Sequence, residues 1–351
     1  MISTRSPRTR MSRRLVALAA VASMGLTLAA CSAGSDPETS GSNDAAAEDL
    51  GSAAIQFGWL PNIENGAIIA AVEEGYYEDL GLDVEILPGG PEVAVDAQIV
   101  SGGALVGLMT SESLANAVLG GAPLVGVAAV YQYSSNAIVS LAEDGIEDPM
   151  QLEGATIGLS ANDRTTLPFL EWLGLDMSTV STVPVDGSPT PLVSGEVDAI
   201  VSPVGNVPVV LAAQGIDTTV IPVAEHGYNR WSSILTVRRD SLEDPEQLAQ
   251  IRAIIEGTKL GVEDLLEDPA AVGEITYDVY GEQLGLELAS QVEGAAVWAD
   301  LIRRGQERSG GALLEVTESG LAETQALFEN ILGVDLDAHD LFDLSVAEGV
   351  L

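Results

Sequence analysis

Side chains that commonly carry catalysis or bind metals are scarce in this sequence. It has one cysteine, Cys31, and two histidines, His226 and His339, which are far apart in the chain. A transition-metal site or an activated nucleophile needs several such groups together, so we predict no catalytic residue, no metal site and no cofactor. Acidic pairs such as Glu263-Asp264 fall on helical runs and lack the glycine turn of a calcium loop, so we interpret them as solvated faces. Phosphate-binding, hydrolase-elbow and dinucleotide motifs are missing as well.

Cys31 itself has a specific setting. Five arginines and no acidic residue precede it, and an apolar run over 15–30 ends in Leu28-Ala29-Ala30-Cys31. Basic residues, a short apolar run and small residues before a cut are typical of a secretory signal. A cysteine directly after the cut resembles the lipobox of bacterial lipoproteins. The resemblance implies that a signal peptide (1–30) is removed and that Cys31 is lipidated, which places the protein at the extracytoplasmic face of the cell membrane. The alternative is a buried free cysteine, which the polar residues after it disfavour.

Composition limits the partners. The chain carries 53 acidic and 14 basic residues, a net charge of −39, which repels nucleic acid. The acidity is interpreted as a solubility feature, and we expect a monomer. Residues 31–53 are rich in serine, glycine, alanine and acids without apolar periodicity, so they predict a flexible tether.

Hydrophobic periodicity predicts strands and helices in alternation up to about residue 240. Strands are predicted at 54–59, 83–87, 104–109, 124–130, 137–140, 155–159, 180–185, 198–201, 218–222 and 234–237. Helices are predicted at 66–77, 91–100, 114–119, 163–173 and 206–214, then at 245–266, 270–284, 286–304 and 322–332. This alternation indicates an α/β architecture with largely parallel strand pairing.

The helical C-terminal part needs a sheet to cover, and the first set of strands is the natural one. We therefore expect a discontinuous lobe 1 (54–132 and 239–351) and an inserted lobe 2 (133–238). The two connections between them would lie near 131–133 and 228–238.

Three runs carry a resemblance to a known family. They are Phe57-Gly58-Trp59-Leu60-Pro61-Asn62, the helix-to-strand run at 73–86, and Ser-Gly-Glu-Val-Asp-Ala at 194–199. Together they resemble the solute-binding proteins of ABC importers in the nitrate, sulfonate and thiamine-pyrimidine group. The resemblance implies the periplasmic-binding-protein type II fold, in which two lobes, each a mixed sheet flanked by helices, close on a small ligand by hinge motion. It also implies a membrane permease as partner.

Within this group, the form of the 57–62 run is closest to members that bind pyrimidine precursors or riboflavin. An aromatic heterocycle needs stacking faces and a few directed hydrogen bonds. Trp59 could stack on a ring, although it could equally be a core aromatic, and Asn62 offers both a donor and an acceptor.

Other ligand candidates follow the predicted ends of strands. Thr110, Ser111 and Glu112 open a helix, where at least one should act only as a cap. Tyr131 and Tyr133 share one side of an extended segment and could line the cleft or pack the hinge. In lobe 2, Asn162 and Arg164 sit before a helix that could hold an anion, unless Arg164 simply pairs with local acids. The remaining candidates are Asp186, Asn206 and Tyr228, the last within the run Tyr228-Asn229-Arg230-Trp231.

Three other functions stay open from the sequence. A nitrate, alkanesulfonate or taurine-type importer component would need a counter-charge, for which Arg164 is best placed. An enzyme resembling the thiamine-pyrimidine synthase would share the fold but lacks the cysteine-rich, histidine-bearing site of that family. A lipid-anchored sensor or structural surface protein could use the same lobes.

Overall fold

The computed structural model describes residues 48–90, 92–161 and 163–351. The predicted signal, Cys31, most of the predicted tether, and Asn162 lie outside the described residues. These residues form ten β-strands: β1 (Gly51–Gln56), β2 (Leu82–Leu87), β3 (Val106–Met109), β4 (Leu124–Tyr131), β5 (Asn136–Leu141), β6 (Thr156–Ser160), β7 (Ser181–Val185), β8 (Ala199–Pro203), β9 (Thr218–Pro222) and β10 (Ser232–Arg238).

The same part of the chain contains eleven α-helices. They are α1 (Gly66–Glu73), α2 (Tyr76–Asp79), α3 (Val95–Val100), α4 (Ser111–Leu119), α5 (Thr166–Leu173), α6 (Thr190–Val193), α7 (Val207–Ala213), α8 (Pro245–Glu267), α9 (Pro269–Leu284), α10 (Leu288–Ser309) and α11 (Glu318–Leu327). A π-helical turn (Phe328–Leu332) continues α11.

Two five-stranded sheets organise the fold. The first has the order β2-β1-β3-β10-β4 and the second β7-β6-β8-β5-β9. We call the parts built on them lobe 1 and lobe 2. In each, two pairings are parallel and two are antiparallel among the described strands. The largely parallel pairing expected from periodicity was therefore wrong, because β5 and β10 enter their sheets in the opposite direction from the strands beside them. Mixed sheets are what the family resemblance implies.

The C-terminal helices cover lobe 1. Helix α1 is apolar except for Glu73 at its end. It packs against α8 and α9 and shares a hydrophobic core with buried residues of the sheet. Asp244 and Asp268 cap the starts of α8 and α9, and each is followed by a proline in the first helical turn. Gly261 lets α8 approach α1 closely, since a Cβ there would lie 2.0 Å from the Ala67 carbonyl oxygen. The C-terminal helices thus hold α1 in place, and α1 lies close behind the 57–62 loop in the chain.

Several boundaries differ from the predicted ones. Strand β1 already begins at Gly51, inside the predicted tether (31–53). The predicted helix over 66–77 breaks at Gly75, whose φ of 79° is left-handed. Helix α3 starts at Val95 instead of residue 91. Strand β10 pairs with β3 and β4, so the polypeptide has returned to lobe 1 by Ser232, before the expected end of lobe 2 at 238.

The chain after α10 contacts both lobes. Leu327 and Ile331 lie in the hydrophobic core of lobe 2 with Phe169 and Tyr228, whereas Phe328 packs in a lobe 1 cluster that includes Trp231. We call residues 310–332 the C-terminal strap. Their contacts with lobe 2 differ from the expectation that residues 239–351 belong to lobe 1 alone, and they arise because buried side chains of the π-helical turn face both cores.

Candidate functional site

Two extended segments connect the lobes. The first crossing (residues 132–135) joins β4 to β5, and the second crossing (residues 227–231) leads into β10. The side chain of Asn229 holds the crossings together. Its Oδ1 accepts a 2.8 Å hydrogen bond from the Ser134 amide, and its Nδ2 donates to the Gln132 carbonyl at 3.0 Å. One side chain therefore fixes the two connections between the lobes against each other.

A group of polar side chains surrounds this junction. The guanidinium of Arg230 lies 3.4 Å from the Glu112 carboxylate at the start of α4. Its other Nη lies 3.4 Å from Asn136 Oδ1 at the start of β5. Arg230 thus bridges side chains of lobe 1 and lobe 2. We name the Arg230 cluster for the set of Glu64, Glu112, Tyr131, Asn136, Tyr228 and Arg230.

Two members of the cluster, Glu64 and Asn136, were not among the residues predicted from the sequence. Glu64 lies in a short 3₁₀ turn (Ile63–Asn65) directly after the Trp59–Asn62 loop and is half-buried. Loss of hydration raises its pKa to about 7, although the nearby Arg230 guanidinium lowers it in part. The sequence signal that could have identified Glu64 was its position two residues after the Pro61-Asn62 turn, which was itself a predicted part of the site.

Two tyrosines complete the cluster. Tyr131 is fully buried and its hydroxyl donates a 2.7 Å hydrogen bond to the Glu64 carbonyl oxygen. Burial and the Glu64 carboxylate raise the pKa of Tyr131. The Tyr228 hydroxyl lies 3.5 Å from Glu112 Oε2, and its ring packs against Phe169 with centroids 5.1 Å apart. Burial, with a smaller contribution from Glu112, raises the pKa of Tyr228, so both hydroxyls stay neutral donors at physiological pH.

Buried polar atoms in the cluster region have spare hydrogen-bonding capacity. Within the described residues, Arg230 Nε and Ser111 Oγ are buried and have no hydrogen-bond partner. Ser111 is fully buried and its amide donates to the Trp231 carbonyl. Buried polar groups are normally paired, so these two atoms are candidates for contact with a ligand.

The predicted residues of the lobe 1 loops have local roles as well. Asn62 uses its Oδ1 to cap the 3₁₀ turn, accepting from the Glu64 amide at 2.8 Å. Thr110 caps α4 in a capping box with Ser113. Trp59 has 39 % of its surface exposed, so it is not a core aromatic.

The predicted anion site before α5 is already filled. Asp163 Oδ1 accepts from the amides of Thr165 and Thr166, both at 2.9 Å. Arg164 is exposed and donates to the carbonyl oxygens of Ala161 and Asp163. A carboxylate of the chain therefore occupies the positive helix end, and Arg164 faces its own loop.

The other three predicted residues lie outside the Arg230 cluster. The hydroxyl of Tyr133 is 3.5 Å from Glu225, and the Arg304 guanidinium lies 5.6 Å from the Tyr133 ring centroid. Asp186 is exposed and accepts from the Ser188 amide. Asn206 is half-buried at the start of α7.

Neither metal ligation nor membrane insertion gains support from the described part of the chain. Over residues 48–90, 92–161 and 163–351, no group of three or more histidine, cysteine, aspartate or glutamate side chains is placed to hold a metal ion. No helix in these ranges is long and apolar enough to cross a membrane. His339 is exposed and lies between Asp337 and Glu318.

Comparison with known proteins gives a family match. A family model described as NMT1/THI5 like matches residues 62–272. This range includes both crossings and every member of the Arg230 cluster.

Two curated relatives and one solved structure illustrate the similarity. A formylaminopyrimidine-binding protein of Halalkalibacterium halodurans is 27 % identical over 227 residues, covering 62 % of this chain and 68 % of that protein. A putative thiamine biosynthesis protein of Haemophilus influenzae is 26 % identical over 214 residues, covering 58 % and 67 %. The periplasmic aliphatic sulphonate binding protein SsuA of Escherichia coli superposes with a TM-score of 0.61 at 14 % identity, covering 83 % of this chain and 92 % of that chain. The last similarity confirms the type II two-lobed fold.

Proposed function

Because this chain belongs to the NMT1/THI5-like family, we propose that it is the extracytoplasmic substrate-binding component of an ABC importer. It captures a small nitrogen heterocycle between its two lobes and passes it to a membrane permease. The observation that carries this proposal is the Arg230 cluster, in which side chains of both lobes converge at the crossings. Ligands of α/β folds bind beyond the ends of strands, and hinge closure buries them.

The charges of the cluster favour a heterocycle over an inorganic anion or a sulfonate. One guanidinium, that of Arg230, is flanked by two carboxyl groups, those of Glu112 and Glu64. A nitrate or sulfonate would meet no uncompensated positive charge there, and the start of α5 already holds Asp163. Carboxylates accept hydrogen bonds from amine groups, and a protonated Glu64 donates to a ring nitrogen. An aminopyrimidine offers both partners, as the name of the Halalkalibacterium relative suggests.

Riboflavin is a second ring-containing candidate. Trp59 supplies an exposed aromatic face beside the Glu64 turn, which would stack on either ring system. The two ligands differ in size and in the number of hydrogen-bonding groups, so direct measurement separates them.

A binding panel tests the proposal. Thermal shift followed by calorimetry would compare aminopyrimidines, including a formylaminopyrimidine, with riboflavin, nitrate and alkanesulfonates. We expect one-to-one binding of an aminopyrimidine and recovery of the unchanged compound by mass spectrometry. Preference for a sulfonate or nitrate would overturn the ligand assignment, and chemical conversion of the bound compound would overturn the binding-only function.

We extend the proposal to the N-terminus. Lipidation at Cys31 would keep the lobes beside the permease. Cys31→Ser is expected to move the protein from the membrane fraction to the soluble extracytoplasmic fraction. Unchanged membrane association of this variant would contradict the anchor.

A further inference from the structure

Residues 228–231 alternate between two different environments. Tyr228 and Arg230 direct their polar ends to Glu112 in the Arg230 cluster. Asn229 and Trp231 instead contact the first crossing and the C-terminal strap. This is the period of an extended segment, in which successive side chains point to opposite sides. One face of the second crossing therefore contributes side chains to the Arg230 cluster, and the opposite face packs against the strap and the first crossing.

Glu323 makes a polar contact between the strap and the second crossing. Its Oε2 accepts a 2.8 Å hydrogen bond from Asn229 Nδ2, and its Oε1 accepts one of 2.6 Å from Arg308 Nε on α10. Asn229 also bonds two residues of the first crossing, Gln132 and Ser134. Glu323 therefore stands at the outer end of a chain of hydrogen bonds that runs through both crossings.

Backbone carbonyl groups of the strap also bond the first crossing and β4. The carbonyl oxygen of Glu315 accepts from Gln132 Nε2 at 2.7 Å, and the Leu314 carbonyl oxygen accepts from the Ala129 amide at 3.0 Å. Gly320 lies so close to the ring of Trp231 that a Cβ at this position would come within 2.4 Å of it. Because the strap also packs into both cores, rotation of one lobe against the other must change its contacts.

We propose that Glu323 is a positioning residue for ligand binding. Through Asn229 it fixes the second crossing against the first and thereby holds Tyr228 and Arg230 in place for the site. It does not contact the ligand. The effect on ligand affinity rests on the proposed function, whereas the effect on the hinge does not.

The hinge effect is measurable without any ligand. Cys31 is the only cysteine of the chain, so Cys31→Ser with Glu282→Cys on α9 and Ala213→Cys on α7 allows one spin label on each lobe. Both labelled positions are exposed. Pulsed electron paramagnetic resonance then reports the distribution of distances between the lobes. We expect Glu323→Ala to broaden this distribution.

Three further variants make the test specific. Glu329→Ala is the matched control, since this exposed carboxylate of the same segment accepts from Gln325 and, among the residues that the structure describes, from no residue of either crossing. It should leave the distribution unchanged. Glu323→Gln should restore the narrow distribution, because its amide oxygen still accepts from Asn229. Arg308→Leu should broaden it less than Glu323→Ala does, and it provides the test should Glu323→Ala fail to fold.

Equal distributions in Glu323→Ala and Glu329→Ala would overturn the proposal, and so would a Glu323→Gln variant as broad as Glu323→Ala. With formylaminopyrimidine as the probe, we expect Glu323→Ala to weaken binding by roughly two- to thirtyfold. Failure of any pyrimidine to bind would overturn the ligand assignment, whereas the role of Glu323 at the hinge would still be decided by the distance measurement.

Discussion

Arg230 and Glu112 form an ion pair of 3.4 Å that joins the second crossing to the start of α4, and each side chain is only 18 % exposed. A pair this sheltered is weakly screened by water. Glu64 adds a second carboxyl group near the same guanidinium. Arg230 is therefore the counter-charge for two half-buried acids. Its guanidinium also lies 3.4 Å from Asn136 Oδ1 in lobe 2.

Removing this guanidinium should destabilise the protein measurably. Arg230→Met leaves Glu112 without its partner in a half-buried place, for which we expect a loss of about 2 kcal/mol in the free energy of unfolding. Urea unfolding near neutral pH measures it. Arg238→Met is the control, because Arg238 pairs with Asp240 in an exposed position and should cost less than about 1 kcal/mol. Equal losses in the two variants would contradict a special role for the Arg230 cluster.

Glu64 should give the ligand-free protein a specific pH dependence. Its folded pKa of about 7 lies above the ordinary value of 4.5. Between these values the unfolded chain has lost the proton and the folded chain keeps it, so stability falls as the pH rises. Glu64→Gln removes this loss. The variant should match the parent near about pH 4 and exceed it by up to about 3 kcal/mol above about pH 7.

Urea unfolding across this pH range, performed on both proteins, provides the measurement. Glu78→Gln on α2, which removes an exposed carboxylate, is the control variant measured in parallel. If the difference in unfolding free energy between Glu64→Gln and the parent does not grow with pH, the pKa of Glu64 is not raised in the folded protein.

The elements of the fold were predictable because hydrophobic period and caps are local properties. Strand β4 and helix α8, for example, lie within one residue of their predicted ends. Strand direction was not predictable from period, since a buried run reads the same in both directions. The reversal of β10 and β5, which makes both sheets mixed, depends on long-range pairing.

Local patterns also pointed to part of the Arg230 cluster. Tyr131, Glu112 and Tyr228 were proposed because they lie near strand ends, and the structure brings them together. That they contact a ligand stays a prediction. Glu64 was missed because its burial comes from packing of residues distant in sequence. Arg164 was proposed as a counter-charge, although the neighbouring Asp163 is a local signal for a helix N-terminal cap. In the structure Asp163 accepts from the first amide of α5, and Arg164 donates to carbonyl oxygens of its own loop.

Trp59 should contribute to binding and little to stability. It is 39 % exposed in the loop before the Glu64 turn, so truncation leaves only a small packing defect. We expect Trp59→Ala to weaken aminopyrimidine binding by roughly three- to tenfold through lost stacking, with less than about 1 kcal/mol of unfolding free energy lost. Calorimetry and urea unfolding measure the two effects.

Met150→Ala is the control, since Met150 is 41 % exposed in the 3₁₀ turn (Pro149–Leu152) that precedes β6. It should leave affinity unchanged. Unaltered affinity in Trp59→Ala would place Trp59 outside the site.

Gly205 should govern how closely the lobes approach. It precedes α7 in lobe 2, and a Cβ there would come 2.4 Å from Nε1 of Trp298 on α10 of lobe 1. Trp298 is fully buried, so the ring has no room to withdraw. The clash should cost about 1 to 3 kcal/mol if the lobes stay together, and separation of the lobes relieves it.

We therefore expect Gly205→Ala to increase the radius of gyration in small-angle scattering and to weaken ligand binding. Gly120→Ala is the control, because Gly120 ends α4 with an ordinary φ of −70°, and the nearest atom to a Cβ there is a carbonyl oxygen at 3.2 Å. That variant should match the parent in both measurements. A Gly205→Ala protein with unchanged scattering and affinity would show that Trp298 can yield, and that the contact between α7 and α10 does not limit closure.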